Sequence, residues 1–291
     1  MSRTARVAAQ GKVNLALRVL EREASGYHAI ETLFARLELA DAVVVRTGMR
    51  GRSIDCHGAT WTEELPADQN LAYRAALAYA SESGWPRGFA IEIEKRIPMG
   101  GGLGGGSADA GAVLRALDAL ASRALPPERM RDLAATLGAD VPFLAGDAAL
   151  ALARGLGGEL TPLEPLPSAH LRLIFPPFGI RTADAYRWID DARGDGAPPP
   201  AARLTPADAS DWMAVSRIAA NDFEPVVIAR HPDIGARLAL LRDAGADFAR
   251  MSGSGSTLFG LWHRAAPPAS LDALTVATRT ASRVVPVEIG E

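Results

Sequence analysis

Residues 97–109, Ile-Pro-Met-Gly-Gly-Gly-Leu-Gly-Gly-Gly-Ser-Ala-Asp, are the stretch of this 291-residue chain whose composition most directly implies chemistry. Six of the seven residues from Gly100 to Gly106 are glycine. Such density costs folding entropy and packs nothing, but it opens unusual backbone conformations and bares N–H groups to close approach. Val113, Leu114, Leu117 and Leu120 follow at helical spacing, with Ser107 as the expected N-cap. A glycine loop feeding a helix N-terminus gathers free N–H groups at the positive end of the helix dipole, so it suits phosphate.

The loop is not a Walker A loop, because no Gly-Lys-Ser/Thr closes it. Gly100, Gly102 and Gly105 fit G-x-G-x-x-G, a match that is nearly automatic in so glycine-rich a run. The strand before it argues against a dinucleotide fold. Phe89, Ile91 and Ile93 alternate with Ala90, Glu92 and Glu94, whereas the first strand of a doubly wound sheet is buried on both faces.

Four other places could supply side-chain chemistry. Lys12 and Asn14 share the polar face of an alternating strand over 11–20, where a lysine is most often just a solvated strand end. Tyr27 and His28 follow a turn centred on Ser25-Gly26 and read either as pocket residues or as ordinary packing and surface residues. Asp140 lies in the tight connection Gly138-Ala139-Asp140-Val141-Pro142-Phe143 and on local grounds alone is a turn aspartate. A second loop of small residues spans Met251-Ser252-Gly253-Ser254-Gly255-Ser256.

The positioning elements follow from periodicity and punctuation. A strand pair is expected over 30–47, with Asp41 near its bend, then a short strand at 52–56 within the polar stretch 48–68. A helix is expected from Asn70 to about Ser83, a strand at 89–97 and a helix at 107–121. A further helix opens at Pro126-Pro127 and stops at Gly138. Strand, turn and strand fill 147–160, and Pro162, Pro165 and Pro167 suggest a boundary between an N-terminal domain, 1–160, and a C-terminal domain, 161–291. Beyond it a strand is expected at 170–175, then a stretch 176–188 holding Thr182, Tyr186 and Trp188, and a mobile loop over 190–206. Helices are expected from Asn221, over 232–243 and near 268–280, with strands at 257–262 and 283–289.

Composition narrows the class. Hydrophobic content of 48%, charged content of 22% and a net charge of −3 are those of a globular protein with no basic bias toward nucleic acid. Cys56 stands alone and the five histidines show no metal-ligand spacing. The N-terminus lacks the apolar core of a signal peptide, and no segment approaches the roughly 18 apolar residues of a membrane span. The expectation is a cytoplasmic protein with neither membrane nor nucleic-acid partner.

Taken in order, Lys12-Val13-Asn14-Leu15, Gly26-Tyr27-His28, Pro98 to Asp109, Leu137 to Pro142, Asn221 to Pro225 and Ser252 to Gly255 resemble the GHMP kinases. That family is named for galactokinase, homoserine kinase, mevalonate kinase and phosphomevalonate kinase. The glycine loop marks only the superfamily. Lys12-x-Asn14, Gly26-Tyr27-His28 and Gly138 to Pro142 are closest to its members that phosphorylate a cytidyl diphosphate-linked methylerythritol in the non-mevalonate isoprenoid pathway. The resemblance implies an α+β, two-domain fold of mixed and antiparallel sheets with helices, and an active cleft between the domains. It implies ATP with Mg²⁺, and a monomer or homodimer.

It also implies roles. Asp140 would take the proton of the C2 hydroxyl, with Lys12 beside it stabilising the transferring phosphoryl group. Pro98, Met99, Gly100, Gly101, Gly102, Leu103, Gly104, Gly105, Gly106, Ser107 and Ala108 would wrap the ATP phosphates, and the Ser107 hydroxyl could reach a phosphate or Mg²⁺. No residue is assigned as a metal ligand beyond that. Asn14 would contact the acceptor, Tyr27 and Tyr186 would sandwich its cytosine, and His28 would read the base edge. Gly253, Ser254 and Gly255 would close over the acceptor phosphates. Ala108 and Tyr186 depart from the serine and phenylalanine of some relatives, and Arg154 stands where an acidic residue is common. The alternatives are a GHMP kinase of homoserine or mevalonate type, or a non-catalytic nucleotide-binding relative. Against them stand Gly26-Tyr27-His28, which suits a base, and the presence of both Lys12 and Asp140.

Overall fold

Two strands of 20 residues, β1 (Arg3–Arg22) and β2 (His28–Thr47), form the antiparallel spine of the molecule. The computed structural model describes residues 2–22, 26–60, 65–194 and 203–290. Ser25 of the expected turn therefore lies outside the described residues, while Gly26 turns the chain with φ +85°.

β1 begins well before the expected residue 11. Thr4, Ala5 and Arg6 are paired on one side with β2 and on the other with β11 (Glu288–Gly290), so neighbours on both edges hold a segment of modest strand propensity. The polar face of β1 is not solvated, since Lys12 and Asn14 are buried along with Val13, Leu15 and Leu17. β2 is one strand rather than a pair. Its register against β1 shifts between Gln10 and Lys12, and this irregularity takes up the bend expected near Asp41.

β4 (Phe89–Glu94) pairs antiparallel with β2 and parallel with β3 (Arg52–His57). β5 (Leu150–Gly155) pairs with β2, and β6 (Glu159–Leu163) with β5, completing a seven-stranded mixed sheet. The 160/161 division falls inside β6. A second sheet, antiparallel, has the order β10 (Val276–Arg279), β7 (His170–Ile174), β9 (Leu258–Trp262), β8 (Phe248–Met251). The helix expected near 268–280 is replaced by one 3₁₀ turn at Ala269–Leu271 and by β10, whose Val276 and Thr278 suit a strand paired to β7. Of the strand expected at 283–289, only the end forms, as β11.

Helix α1 (Leu71–Ser83) starts at Asn70, whose side chain accepts from the Ala72 N–H, and ends at left-handed Gly84. Helix α2 (Gly105–Leu120) starts two residues before the expected position. Its N-cap is Gly104, and Ser107 is the third residue inside it, capping nothing. α2 is buried on nearly every side, because Ala108, Ala110, Ala112 and Ala116 pack where its pattern would place a solvent face. A Cβ on Gly111 would stand 2.6 Å from the Leu144 backbone, so this glycine lets α2 touch α4 (Val141–Ala145). α3 (Pro127–Leu137) connects α2 to that short, unforeseen helix.

Helix α5 (Thr182–Arg193) occupies the second half of the stretch 176–188 and the start of the expected mobile loop. Residues 195–202 of that loop lie outside the described residues. α6 (Trp212–Ile218), α7 (Glu224–Ile228) and α8 (Pro232–Asp243) complete the second half.

Candidate active site

The two glycine loops are interlocked. The Lys12 N–H donates to the Leu103 carbonyl at 2.9 Å, and the Thr257 N–H to that of Gly101 at 3.1 Å. The Ser252 hydroxyl donates to the Gly102 carbonyl at 2.8 Å. Gly102 has φ +80°, and a Cβ there would lie 2.1 Å from the Ser252 carbonyl oxygen, so only glycine permits this approach. Pro98, Gly100, Gly101, Gly102, Gly104, Gly105, Gly106 and Ser107 line one side of a cavity of about 610 Å³, faced by Asp140, Thr182, Ser254 and Gly255. Met99, Leu103 and Ala108 of the expected wrap are not among its lining residues. Met99 is exposed, Leu103 is buried, and the Ala108 N–H is spent on the Gly104 carbonyl, 2.7 Å away. That bond opens the helical ladder, so the first-turn N–H groups of Gly105, Gly106 and Ser107 have no carbonyl within α2 to bond.

A second cavity of about 280 Å³ joins the first across Gly102, Ser107, Asp140, Thr182 and Ser254. Here the Lys12 Nζ lies 3.2 Å from Asp140 Oδ2 and donates to Asn14 Oδ1 at 2.7 Å. The Asn14 amide is oriented by Thr32, whose hydroxyl accepts from Asn14 Nδ2 at 2.8 Å and donates to the Ala16 carbonyl at 2.7 Å. The Lys12 charge also sits 5.2 Å over the Phe34 ring. Asp140 precedes α4 without capping it, which leaves its carboxylate to Lys12 and the cavity.

The other end of α4 is gripped by Arg36, a residue the sequence does not single out. Its guanidinium, buried, donates to the carbonyls of Phe143 at 2.5 Å, Gly146 at 2.9 Å and Ala148 at 2.9 Å. A cation at these carbonyls complements the negative end of the helix. Burial pushes the Arg36 guanidinium pKa down, and the charge of Arg115 adds to that, against Asp147.

The second loop is held by residues 221–224. Asn221 Nδ2 donates to the carbonyls of Met251 at 2.7 Å and Gly253 at 2.8 Å, and the Met251 N–H donates to Glu224 at 2.7 Å. Burial pushes the Glu224 carboxyl up, partly offset by that N–H. Asp222 accepts from the Val19 N–H at 2.8 Å, so the same segment ties the loop to β1. The Asn221-to-Pro225 motif is visible in the sequence, but these long-range partners are not.

A third cavity, about 930 Å³, opens from the second across Ile30, Ala139, Leu156, Thr182 and Tyr186. Tyr27 stands at its rim, 68% exposed. The His28 and Tyr186 rings are parallel within 7° with centroids 5.5 Å apart, and Tyr186 meets Phe223 edge-on at 5.0 Å. Burial pushes the Tyr186 phenol up, and the charge of Asp140 adds to it. His28 Nδ1 is 2.9 Å from the Leu20 carbonyl and Nε2 is 2.8 Å from Asp190 Oδ1, so both ring nitrogens are engaged within the protein.

Beneath the first loop lies a buried ionic cluster that sequence reasoning missed. Lys95 pairs with Asp41 and, at 2.5 Å, with Asp109. Asp41 also accepts from the N–H groups of Arg96 at 2.5 Å and Ile97 at 2.7 Å, fixing the entry to the loop. Burial, with the Asp41 charge added and Lys95 opposing, pushes Asp109 up to about 8. Arg154 is also accounted for. It donates to Glu31 at 3.1 Å and to the Leu204 carbonyl at 2.6 Å, while the Leu204 N–H returns to Glu31 at 3.2 Å, clamping the chain behind β2.

Among the described residues no helix is long and apolar enough to cross a membrane, and no three acidic, histidine or cysteine side chains form a metal cluster.

Comparison with known proteins follows the same lines. The family model for the N-terminal domain of GHMP kinases matches residues 70–158, and that for their C-terminal domain matches 204–275. A 4-diphosphocytidyl-2-C-methyl-D-erythritol kinase of Anaeromyxobacter dehalogenans is 42% identical over 257 residues, 87% of this chain and 79% of the relative. One from Moorella thermoacetica is 39% identical over 259 residues, 87% of this chain and 88% of its own. The crystal structure of a 4-(cytidine 5'-diphospho)-2C-methyl-D-erythritol kinase superposes with a TM-score of 0.75 at 37% identity, covering 95% of this chain and 99% of its own. A homoserine kinase from Cytophaga hutchinsonii, 19% identical with a TM-score of 0.67 and covering 99% and 97% of the two chains, shares the fold.

Proposed function

The chain belongs to the GHMP kinases, and from that footing we propose that it transfers the γ-phosphoryl group of ATP to the C2 hydroxyl of 4-diphosphocytidyl-2-C-methyl-D-erythritol. The observation that carries the reading is the place of the Lys12–Asp140 pair, on the small cavity that joins the glycine-lined cavity to the aromatic one.

Each part has a task in that reaction. The N–H groups of Gly105, Gly106 and Ser107, at the positive end of α2, hold the ATP phosphates. Asp140 accepts the proton of the attacking hydroxyl, a step that requires a carboxylate within hydrogen-bond reach of the acceptor. Lys12 faces both groups and offsets the charge that develops on the transferring phosphoryl. Asn14, Gly253, Ser254 and Gly255 border the same small cavity or its mouth and steady the acceptor near its hydroxyls and phosphates. Tyr27 and Tyr186 supply faces for the cytosine, and His28 supports Tyr186 from behind. We take the two halves of the enzyme to divide in the 164–169 connection, just beyond β6.

Mg²⁺ fits the donor set. Mg²⁺ at a nucleotide usually takes its ligands from phosphates, water and one or two protein oxygens. The Ser107 hydroxyl, on the wall shared by the first two cavities, is the protein group that would hold it, beside the ATP phosphates and water. Bound there, the ion neutralises phosphate charge.

The test is ADP release with a panel of acceptors. The cytidyl diphosphate acceptor is expected to drive it, with homoserine and mevalonate inert because neither presents a base to the aromatic cavity. Release with homoserine or mevalonate and none with the cytidyl compound contradicts the proposal. Binding of ATP with no transfer to any acceptor would favour a non-catalytic relative.

A further inference from the structure

Asp140 stands at the start of α4, and its carbonyl accepts from the Leu144 N–H at 3.1 Å. Its carboxylate is therefore carried by the first turn of a five-residue helix. A helix this short has no stability of its own, so its place is set by what grips it. The far end of α4 and the turn after it present the carbonyls of Phe143, Gly146 and Ala148 to the Arg36 guanidinium. The last carbonyls of a helix have no partner within it, and a cation suits them. Arg36 is 1% exposed, and a charge so deeply buried is costly unless its hydrogen-bonding groups are used.

Arg36 also lies opposite Lys12. The two are register partners across β1 and β2, as are Asn14 and Phe34. Register partners share a face of the sheet, and so do residues two apart on a strand. The Phe34 ring stacks on that of Phe143, with 5.1 Å between centroids and 21° between planes. Lys12 Nζ sits 5.2 Å from the centroid of the first ring, and Arg36 Cζ 4.9 Å from that of the second. Like charges directly opposite on a strand pair repel, yet here each cation is drawn to a different ring. The contacts close on themselves. They run from Lys12 through Phe34 and Phe143 to Arg36, then along α4 to Asp140, which is 3.2 Å from Lys12 Nζ. Arg36 is absent from the walls of all three site cavities, so it bears on the reaction only through the groups it holds.

Resting on the function proposed above, we propose that Arg36 is a positioning residue: by fixing the far end of α4 and the Phe143 ring, it holds the Asp140 carboxylate at its working distance from Lys12. It touches neither ATP nor the acceptor.

The test is a double-mutant cycle in turnover of the cytidyl acceptor, on the wild type, Arg36→Met, Asp140→Asn and the double variant. Arg36→Met keeps the length of the side chain and removes the cation. It is expected to lower kcat by about 10²-fold, the scale of an ångström-sized misplacement, with both KM values within about twofold. In the Asp140→Asn background the same substitution is expected to change kcat by less than about threefold, because the group it positions is already gone. Equal losses in the two backgrounds overturn the proposal, since Arg36 would then merely support the fold. A normal kcat in Arg36→Met, or an effect confined to either KM, overturns it as well. Should the methionine variant fail to fold, Arg36→Lys carries the same cycle. It keeps the charge but lacks the planar fork that spans several carbonyls, and its smaller loss is expected to vanish in the Asp140→Asn background. A wild type inert toward the cytidyl acceptor overturns the enzymatic reading itself, and is seen before any variant is made.

Discussion

At the donor end of the site, contacts are made by backbone. Gly101, Gly102 and Leu103 are tied through their carbonyls to Thr257, Ser252 and Lys12, and the N–H groups of the first turn of α2 face the cavity. At the acceptor end, side chains do the work: Tyr27 and His28 from the β1–β2 turn oppose Tyr186 and Asp190 from α5. In the proposed reaction the difference follows from what each end would bind. Phosphate is a compact, repeated anion that a fixed set of N–H groups satisfies. A base must be distinguished by its face and its edge, which takes aromatic rings and oriented polar groups. The two ends meet at Lys12 and Asp140, where β1 and the start of α4 come together.

The comparison predicts different kinetic signatures. Lys12→Ala should lower kcat by about 10²- to 10³-fold, the usual scale for removing one charge-stabilising group, because it removes the cation between the two ends. Steady-state ADP release measures it, and a loss confined to either KM would remove Lys12 from the junction. Next, Gly102→Ala should lower kcat/KM for ATP by about 10²-fold, the scale of an ångström-sized misplacement, since its Cβ would meet the Ser252 carbonyl. A variant with normal ATP kinetics would show that the loops need not interlock. Tyr27→Ala should raise KM for the cytidyl acceptor by roughly tenfold, at the lower end of what one base–aromatic stack contributes, and leave ATP affinity unchanged. An effect on ATP alone would move Tyr27 to the donor end.

The smallest effect is on stability. Asp109, raised to about 8, is ionised in the unfolded chain above its ordinary value of 3.8. Between those values the native state holds the extra proton, so its contribution to stability falls as pH rises through that window and levels off above it. Asp109→Asn should remove this decline. Denaturant melts at pH 5 and pH 8 should show a smaller loss for the variant, and parallel losses would contradict the assignment.

The groups proposed to react were legible because each lies in a short local pattern. The glycine run, Lys12-x-Asn14 and the turn bearing Asp140 are all readable within a few residues. What supports them was not. Arg36 reaches α4 across 107 residues of chain, and Asn14 meets Ser252 across 238, so nothing in either neighbourhood announces the partner. Asp41 looked like a residue at a bend because a buried aspartate and a turn aspartate have the same local sequence. Ser107 looked like an N-cap because glycine is a poor helix former, yet α2 begins at Gly105, with Gly104 as its N-cap. The helix read at 268–280 failed for a related reason. Pairing with β7 decided the state of 276–279, and pairing cannot be read from one strand.

The central claim is that the donor end binds and Asp140 reacts. It is tested most directly by Asp140→Asn, measured for nucleotide affinity by calorimetry and for ADP release with the cytidyl acceptor. The expected result is ATP affinity close to the wild type, with turnover lowered about 10²- to 10⁴-fold, the range for a general base. Full turnover in the variant would contradict the assignment of the base, and loss of ATP binding would contradict the separation of the two ends.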